Sequence, residues 1–195
     1  RGRAPPGPNS LTSRADLRHD VEMDPVRRAT PADLDELLEL VEAFYEIDNH
    51  VFNQEHVCAA LQPLLESDEH GQVWVLQDRA TAACGGYAVI TWSWSLESGG
   101  RDAILDEIYV RAREHGAGTR SLHHASSAAA EAGARVLYLE TEASNERVRR
   151  FYARNGFQVD DSVWMSTDLP TGRSAPTTPN IAAPAPQPDH EQVPT

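Results

Sequence analysis

Residues 103–132 read AILDEIYVRAREHGAGTRSLHHASSAAAEA, and this stretch decides the fold. Its first eight residues are rich in Ile, Leu, Val and Tyr, the composition of a buried strand, and its alanine-rich end predicts a helix of about four turns. Gly116 and Gly118 lie where the chain turns from one into the other. Glycine removes side chains from that turn, so free N–H groups and the positive end of the helix dipole face whatever sits in front of them. Such a turn is an anion site, and phosphate is its usual guest.

Around this stretch the chain has 195 residues, 40% of them hydrophobic, enough for one globular core and little more. The formal charge of −13 and pI near 4.9 argue against non-specific binding to nucleic acid or to an anionic membrane, and favour a cationic partner. Cys58 and Cys84 lie in apolar surroundings without metal-ligand spacing. Buried thiols in a reducing compartment are therefore expected, with neither a zinc site nor a disulfide framework. No apolar run approaches the length of a membrane span, and the opening RGRAPPGPNS lacks the apolar core of a secretory signal, so a cytoplasmic protein is expected.

Residues 1–25 are rich in Pro, Gly, Arg and mixed charge, and residues 170–195 in Pro, Ala and Thr. Both are expected to be disordered tails, flanking one domain over 26–169. That domain opens with a short strand at Val26–Ala29, after which Thr30 caps a helix with Pro31 in its first turn and Leu34, Leu37, Leu38, Val41 and Phe44 at helical spacing. A second helix is predicted over Gln54–Leu65, and strands over Val73–Gln77 and Gly86–Trp94. The organising strand and helix follow, then a strand at Val136–Glu140, a helix at Asn145–Asn155 ended by Gly156, and a last strand at Val163–Thr167.

This order, and three pieces of sequence, resemble the GNAT superfamily of acyl-CoA-dependent N-acyltransferases over about residues 26–169. LDEIYV with its glycine loop looks like the family's strand and pyrophosphate-binding turn. LYLETEASNERVRRFYARNGF, residues 137–157, looks like its strand, capped helix and closing Gly-Phe, and is the most specific of the three. VRRATPADL resembles its first strand and helix start. The resemblance implies an α+β fold, an α/β/α sandwich whose mixed, mostly antiparallel sheet is splayed between its fourth and fifth strands. The loop departs from the family's usual Arg/Gln-x-x-Gly-x-Gly/Ala. Setting Gly116 and Gly118 on the last two small residues buries Ala117, Leu122, Ala125 and Ala129, leaves His123 and His124 in water, and makes the loop about two residues short. Arg111 and Arg113 are the substitutes for the missing charge.

The resemblance also implies a cosubstrate, acetyl-CoA, with no metal. Its amide-bearing arm would lie along Ile108, Tyr109 and Val110, and its pyrophosphate on Arg113, His115, Gly116, Ala117, Gly118 and Thr119. Asn145 matches a cofactor-contacting asparagine and is equally an ordinary helix cap. Tyr152 matches the tyrosine that donates a proton to the departing thiolate; its rival role is core packing.

Asp106 and Glu107 are adjacent in a buried strand, so at least one must point into a cavity or water, where burial raises its pKa toward that of a useful base. An amine acceptor arrives protonated, and Glu107 first, Asp106 second, are the candidates to take its proton. A purely structural carboxylate stays open beside that reading. Asp48, Asn49, His50, Trp92, Trp94 and Glu97 fall on segments that wall the acceptor pocket in this fold, and aromatic faces with carboxylates suit a cationic amine.

The activity implied is acetyl transfer to a primary amine of a small molecule or peptide by direct attack in a ternary complex; members of the family often pair, which makes a homodimer a candidate assembly and leaves the oligomeric state open. The alternatives are a non-catalytic sensor or scaffold of the same fold with a degenerate loop, and a dinucleotide-binding protein. The latter is disfavoured because Ser121 stands where a third glycine belongs and the strand order is wrong.

Overall fold

The computed structural model describes residues 25–78, 81–111 and 116–169. Of the expected tails at 1–25 and 170–195, all residues but Pro25 lie outside the described residues. Five strands form one sheet in sequence order: β1 (Val26–Arg28), β2 (Gly71–Gln77), β3 (Cys84–Ser95), β4 (Gly100–Val110) and β5 (Leu137–Leu139). Neighbours are antiparallel except β4 and β5, which run parallel. The helices are α1 (Leu34–Asp48), α2 (Gln54–Glu66), α3 (Ala117–Glu131) and α4 (Glu146–Arg154).

Because strand side chains alternate, each strand feeds two cores. Val73, Val75, Tyr87 and Val89 pack with Leu37, Leu40, Val41, Val57 and Leu61 of α1 and α2. Ala88, Ile90, Ala103 and Leu105 pack with Leu122, Ala125 and Ala129 of α3, against which Phe151, Tyr152 and Phe157 also lie. The result is the expected three layers. The predicted helical register of α3 holds for Ala117, Leu122, Ala125 and Ala129, all buried, and for exposed His123. His124 departs from it: its ring sits edge-on to Trp74 at 4.3 Å.

A short 3-10 turn, Pro31–Asp33, introduces α1. Asp33 accepts from the Thr30 N–H at 2.8 Å and the Thr30 hydroxyl at 2.9 Å, and from both Arg27 terminal nitrogens at 2.9 and 2.7 Å. One carboxylate thus caps the helix start and fastens it to β1. Arg28 ties β1 to the approach to β2, donating to Val73 O, Leu64 O and Asp68.

Two irregularities in β4 shape the molecule. Val89 pairs with Glu107 and Ile90 with Leu105, so Asp106 is an extra residue, a β-bulge that bends the strand. And β5 pairs only with Ala103, Ile104 and Leu105, so beyond the bulge β4 keeps β3 but has no β5 partner. Gly86 brings β3 close along this stretch: a Cβ there would lie 2.6 Å from both Tyr109 O and Val110 Cγ1.

The predicted last strand is not formed. Residues 158–169 carry no strand, and Val163, Trp164 and Met165 are exposed. The apolar alternation predicted a strand there, but a strand also needs a neighbour to supply its hydrogen bonds, and periodicity does not report one.

Candidate active site

The bulge sends the two adjacent carboxylates apart. Asp106 is solvent-exposed, with its pKa raised by partial desolvation. Glu107 turns to the α1 side of the sheet, half-buried, and is held by two phenols. Tyr45 of α1 donates to Oε1 at 2.9 Å and Tyr87 of β3 donates to Oε2 at 2.6 Å. Burial pushes the Glu107 pKa up, while the two phenol hydrogen bonds favour the anion and offset part of that rise. Burial and the charge of Glu107 raise both phenol pKa values in turn, which keeps them protonated as donors.

Aromatic rings surround this group. Tyr109 lies 6.0 Å from Phe44 and 6.3 Å from Tyr87, and Phe52 meets Tyr45 edge-on at 6.2 Å. His50 packs on Tyr45 at 5.6 Å and lies 2.9 Å from the Asp48 carboxylate. A carboxylate among aromatic faces suits an ammonium ligand, since the charge attracts it and the rings present their negative faces.

Tyr45 and Tyr87 escape sequence reasoning. Tyr45 lies next to Phe44, the last residue of the predicted apolar stripe of α1, and Tyr87 falls within the predicted strand Gly86–Trp94, and neither is singled out by pattern. Their only signal is that a buried phenol requires a partner.

Ile108, Tyr109 and Val110 form the part of β4 that β5 has left, so one edge of this backbone has no strand partner among the described residues. Gly116 is the N-cap of α3, with φ 74° and no side-chain cap. Among the described residues no acceptor meets the amides of Ala117, Gly118 and Thr119, the first-turn donors that a helix cannot satisfy itself. Gly118 faces Phe151 and Val110: a Cβ there would sit 3.6 and 3.7 Å from them, in ordinary contact. Gly116 therefore needs glycine for its φ, whereas Gly118 is not forced to be glycine by lack of space. Arg113 and His115 lie outside the described residues.

Asn145 caps α4, its side-chain oxygen accepting from the Val148 N–H at 3.2 Å. Tyr152 lies on α4 between Phe151 and Phe157, at 5.2 and 5.6 Å, and burial pushes its pKa up to about 12. It is thus a protonated phenol across a wide pH range.

The expected acceptor wall divides. Asp48 and His50 lie with Tyr45, near Glu107. Trp92 and Trp94 share one face, as alternation along a strand requires, but it is the α3 face, at the opposite end of the sheet. Trp92 donates there to Asp68 O at 2.8 Å, and Trp94 is exposed. They belong to a different surface because Glu107 faces α1.

The family model of the acetyltransferase (GNAT) family matches residues 34–157. The uncharacterized N-acetyltransferase YhfO of Bacillus subtilis is 36% identical over 77 residues, covering 38% of this chain and 52% of that protein. An uncharacterized N-acetyltransferase of Mycobacterium tuberculosis is 30% identical over 88 residues, covering 44% and 53%. The chain spans about half the length of these curated relatives. Among solved structures, an integron cassette protein from the mobile metagenome of Cole Harbour Salt Marsh superposes with TM-score 0.66 at 26% identity, over 75% of this chain and 91% of that one.

Proposed function

The chain belongs to the acetyltransferase (GNAT) family, and on that premise we propose that it moves acetyl from acetyl-CoA to a primary amine of a small molecule or peptide by direct transfer. One observation carries the amine half of this reading: Glu107, clamped by Tyr45 and Tyr87 in an aromatic surround beside the bulge of β4. Two features support the donor half. The uncapped amides of Ala117, Gly118 and Thr119 suit a diphosphate, and the unpaired edge of Ile108, Tyr109 and Val110 suits an arm that carries amides.

Acetyl-CoA supplies an activated acyl group as its thioester. The rest is done by this chain. The aromatic surround and Glu107 bind the acceptor as an ammonium, and Glu107 takes its proton so that the nitrogen lone pair is free to attack. Asp106, close by but in water, is the exit for that proton. Tyr152 donates its phenolic proton to the leaving sulfur. No residue of the chain is acylated in this scheme. A reducing, cytoplasmic setting belongs to the same proposal, and both cysteines are free thiols. Among the described residues no helix is long and apolar enough to cross a membrane.

The test is release of free CoA thiol on mixing the protein with acetyl-CoA and a panel of amines: polyamines, aminoglycosides, amino acids and peptides with free N-termini. The expected result is saturable release with one class, together with a rise in melting temperature on adding acetyl-CoA and none on adding NAD. Absence of release with every amine, despite that rise, would leave a binding module of the same fold. Absence of both would overturn the reading.

A further inference from the structure

At the end of the sheet away from Glu107, on the α3 face, lies a cleft of about 330 Å³. That volume is in the range of small-molecule sites. Its wall includes Asp68, Gln72, Trp74, Trp92, Arg101 and Glu131. Arg101 precedes Glu107 by six strand residues, which sets the two roughly 20 Å apart along β4. They also lie on opposite faces, because the bulge at Asp106 reverses the alternation between them.

The chemistry of this wall is two-signed. The Arg101 guanidinium lies over the Trp92 ring at 5.3 Å and donates from one terminal nitrogen to Ala132 O at 2.9 Å, which fixes its plane and leaves further N–H groups for an anion. Glu131 supplies the opposite charge, and among the described residues it has no ion-pair or hydrogen-bond partner. Asp68 adds a second carboxylate, fixed by Arg28 at 2.7 Å and by the Gln72 amide nitrogen at 2.7 Å. Two wall residues also carry polar atoms enclosed by protein that have no partner among the described residues, the Gln72 carbonyl oxygen and the Trp74 indole N–H. Two indoles supply apolar surface between the charges.

We infer that this cleft is a second binding site, separate from the one at Glu107, for a small zwitterion: a free α-amino acid whose carboxylate meets Arg101 and whose ammonium meets Glu131 and Asp68. An apolar side chain lies against Trp74 and Trp92. The inference stands whether or not the chain transfers acetyl groups, since none of these residues takes part in that scheme.

The test is titration of the 195-residue chain with leucine, phenylalanine and glycine, followed by intrinsic tryptophan fluorescence and by melting temperature. N-acetylleucine and leucinamide, each lacking one of the two charges, are the controls. Saturable responses to leucine or phenylalanine are expected, at least tenfold weaker for both controls and for Glu131→Gln. Arg101→Met should weaken them as much. Since Arg101 also ties β4 to α3, exposed Glu131→Gln is the variant that keeps the test clean if Arg101→Met is poorly folded. Glu107→Gln should bind leucine unchanged, which separates this cleft from amino-acid binding at an acceptor site beside Glu107. No saturable response to any of the three amino acids up to about 10 mM, a response untouched by Glu131→Gln, or one abolished by Glu107→Gln would overturn the inference.

Discussion

Tyr87 donates to Glu107 across 2.6 Å, from a strand residue twenty positions earlier in the chain, and the carboxylate it holds is one that burial pushes toward its neutral form. The phenol and the protein interior pull in opposite directions. Removing the phenol by Tyr87→Phe should therefore move the apparent pKa of Glu107 further up, and the acid limb of the rate profile with it. A stability loss of about 1–3 kcal/mol is expected, the usual consequence of leaving a buried acceptor short of a donor. An acid limb that stays in place in Tyr87→Phe would count against the clamp.

The same raised pKa has a sign in stability. A carboxyl group whose pKa is higher in the folded state than in the unfolded one stabilises the fold below the unfolded pKa, and that contribution is lost as pH rises through the folded value. Unfolding free energies of the parent and of Glu107→Gln should accordingly diverge in favour of the variant as pH rises from the ordinary glutamate value of 4.5. Asp106 works in the direction of this rise, and His50 against it. Chemical denaturation across pH 4–8 reads the difference; a gap that stays flat or closes with pH contradicts the buried-carboxyl account.

Tyr152→Phe keeps the ring that packs against Phe151 and Phe157 and removes only the hydroxyl group, the proton donor. Turnover should fall by about 10²-fold or more while the melting-temperature rise with acetyl-CoA is unchanged. Equal turnover would make Tyr152 a packing residue.

Gly116→Ala isolates backbone geometry. With φ at 74°, alanine is strained there, and among the described residues its Cβ would meet the Arg120 guanidinium at 3.9 Å. A loss of about 1–2 kcal/mol in stability is expected, with weaker acetyl-CoA binding as the first-turn amides shift. Gly118→Ala, which fits sterically, should be close to the parent in stability.

Asp33→Asn tests the joint between β1 and α1. The Arg27 hydrogen bonds hold the Asp33 pKa down at about 2, ahead of the contribution of the Thr30 bonds. A depressed carboxylate stabilises the fold above its unfolded pKa and ceases to do so as pH falls through the folded value, here between about 4 and about 2. With Arg27 side chain 36% exposed, solvent screening brings the expected loss at neutral pH to about 1–2 kcal/mol, vanishing at the acid end.

The sequence makes legible what depends on local pattern. The alternation of Val73 and Val75, the spacing of Leu37, Leu38 and Val41, and the glycine at position 116 each carry their own signal, and the two-faced sheet follows from them. The split of Asp106 from Glu107 is legible as a necessity, because adjacent strand carboxylates cannot share an apolar face. Which one goes inward depends on the bulge opposite Val89 and Ile90, a property of pairing between strands. Tyr45 is 62 positions from its partner, and no short-range pattern reports such a contact. Trp92 and Trp94 mislead for the same reason: their common face is readable, but which helix covers it is not. The unformed strand at Val163–Thr167 is the plainest case of periodicity without a neighbour.

The central claim is that Glu107 takes the proton of the attacking amine. The pH dependence of kcat/KM for CoA release, measured for the parent and for Glu107→Gln with the best amine of the panel, tests it most directly. The parent should show an acid limb with an apparent pKa above that of an ordinary glutamate. The variant should lose the limb and about 10²–10⁴-fold in rate. A variant that keeps both the limb and the rate would contradict the account.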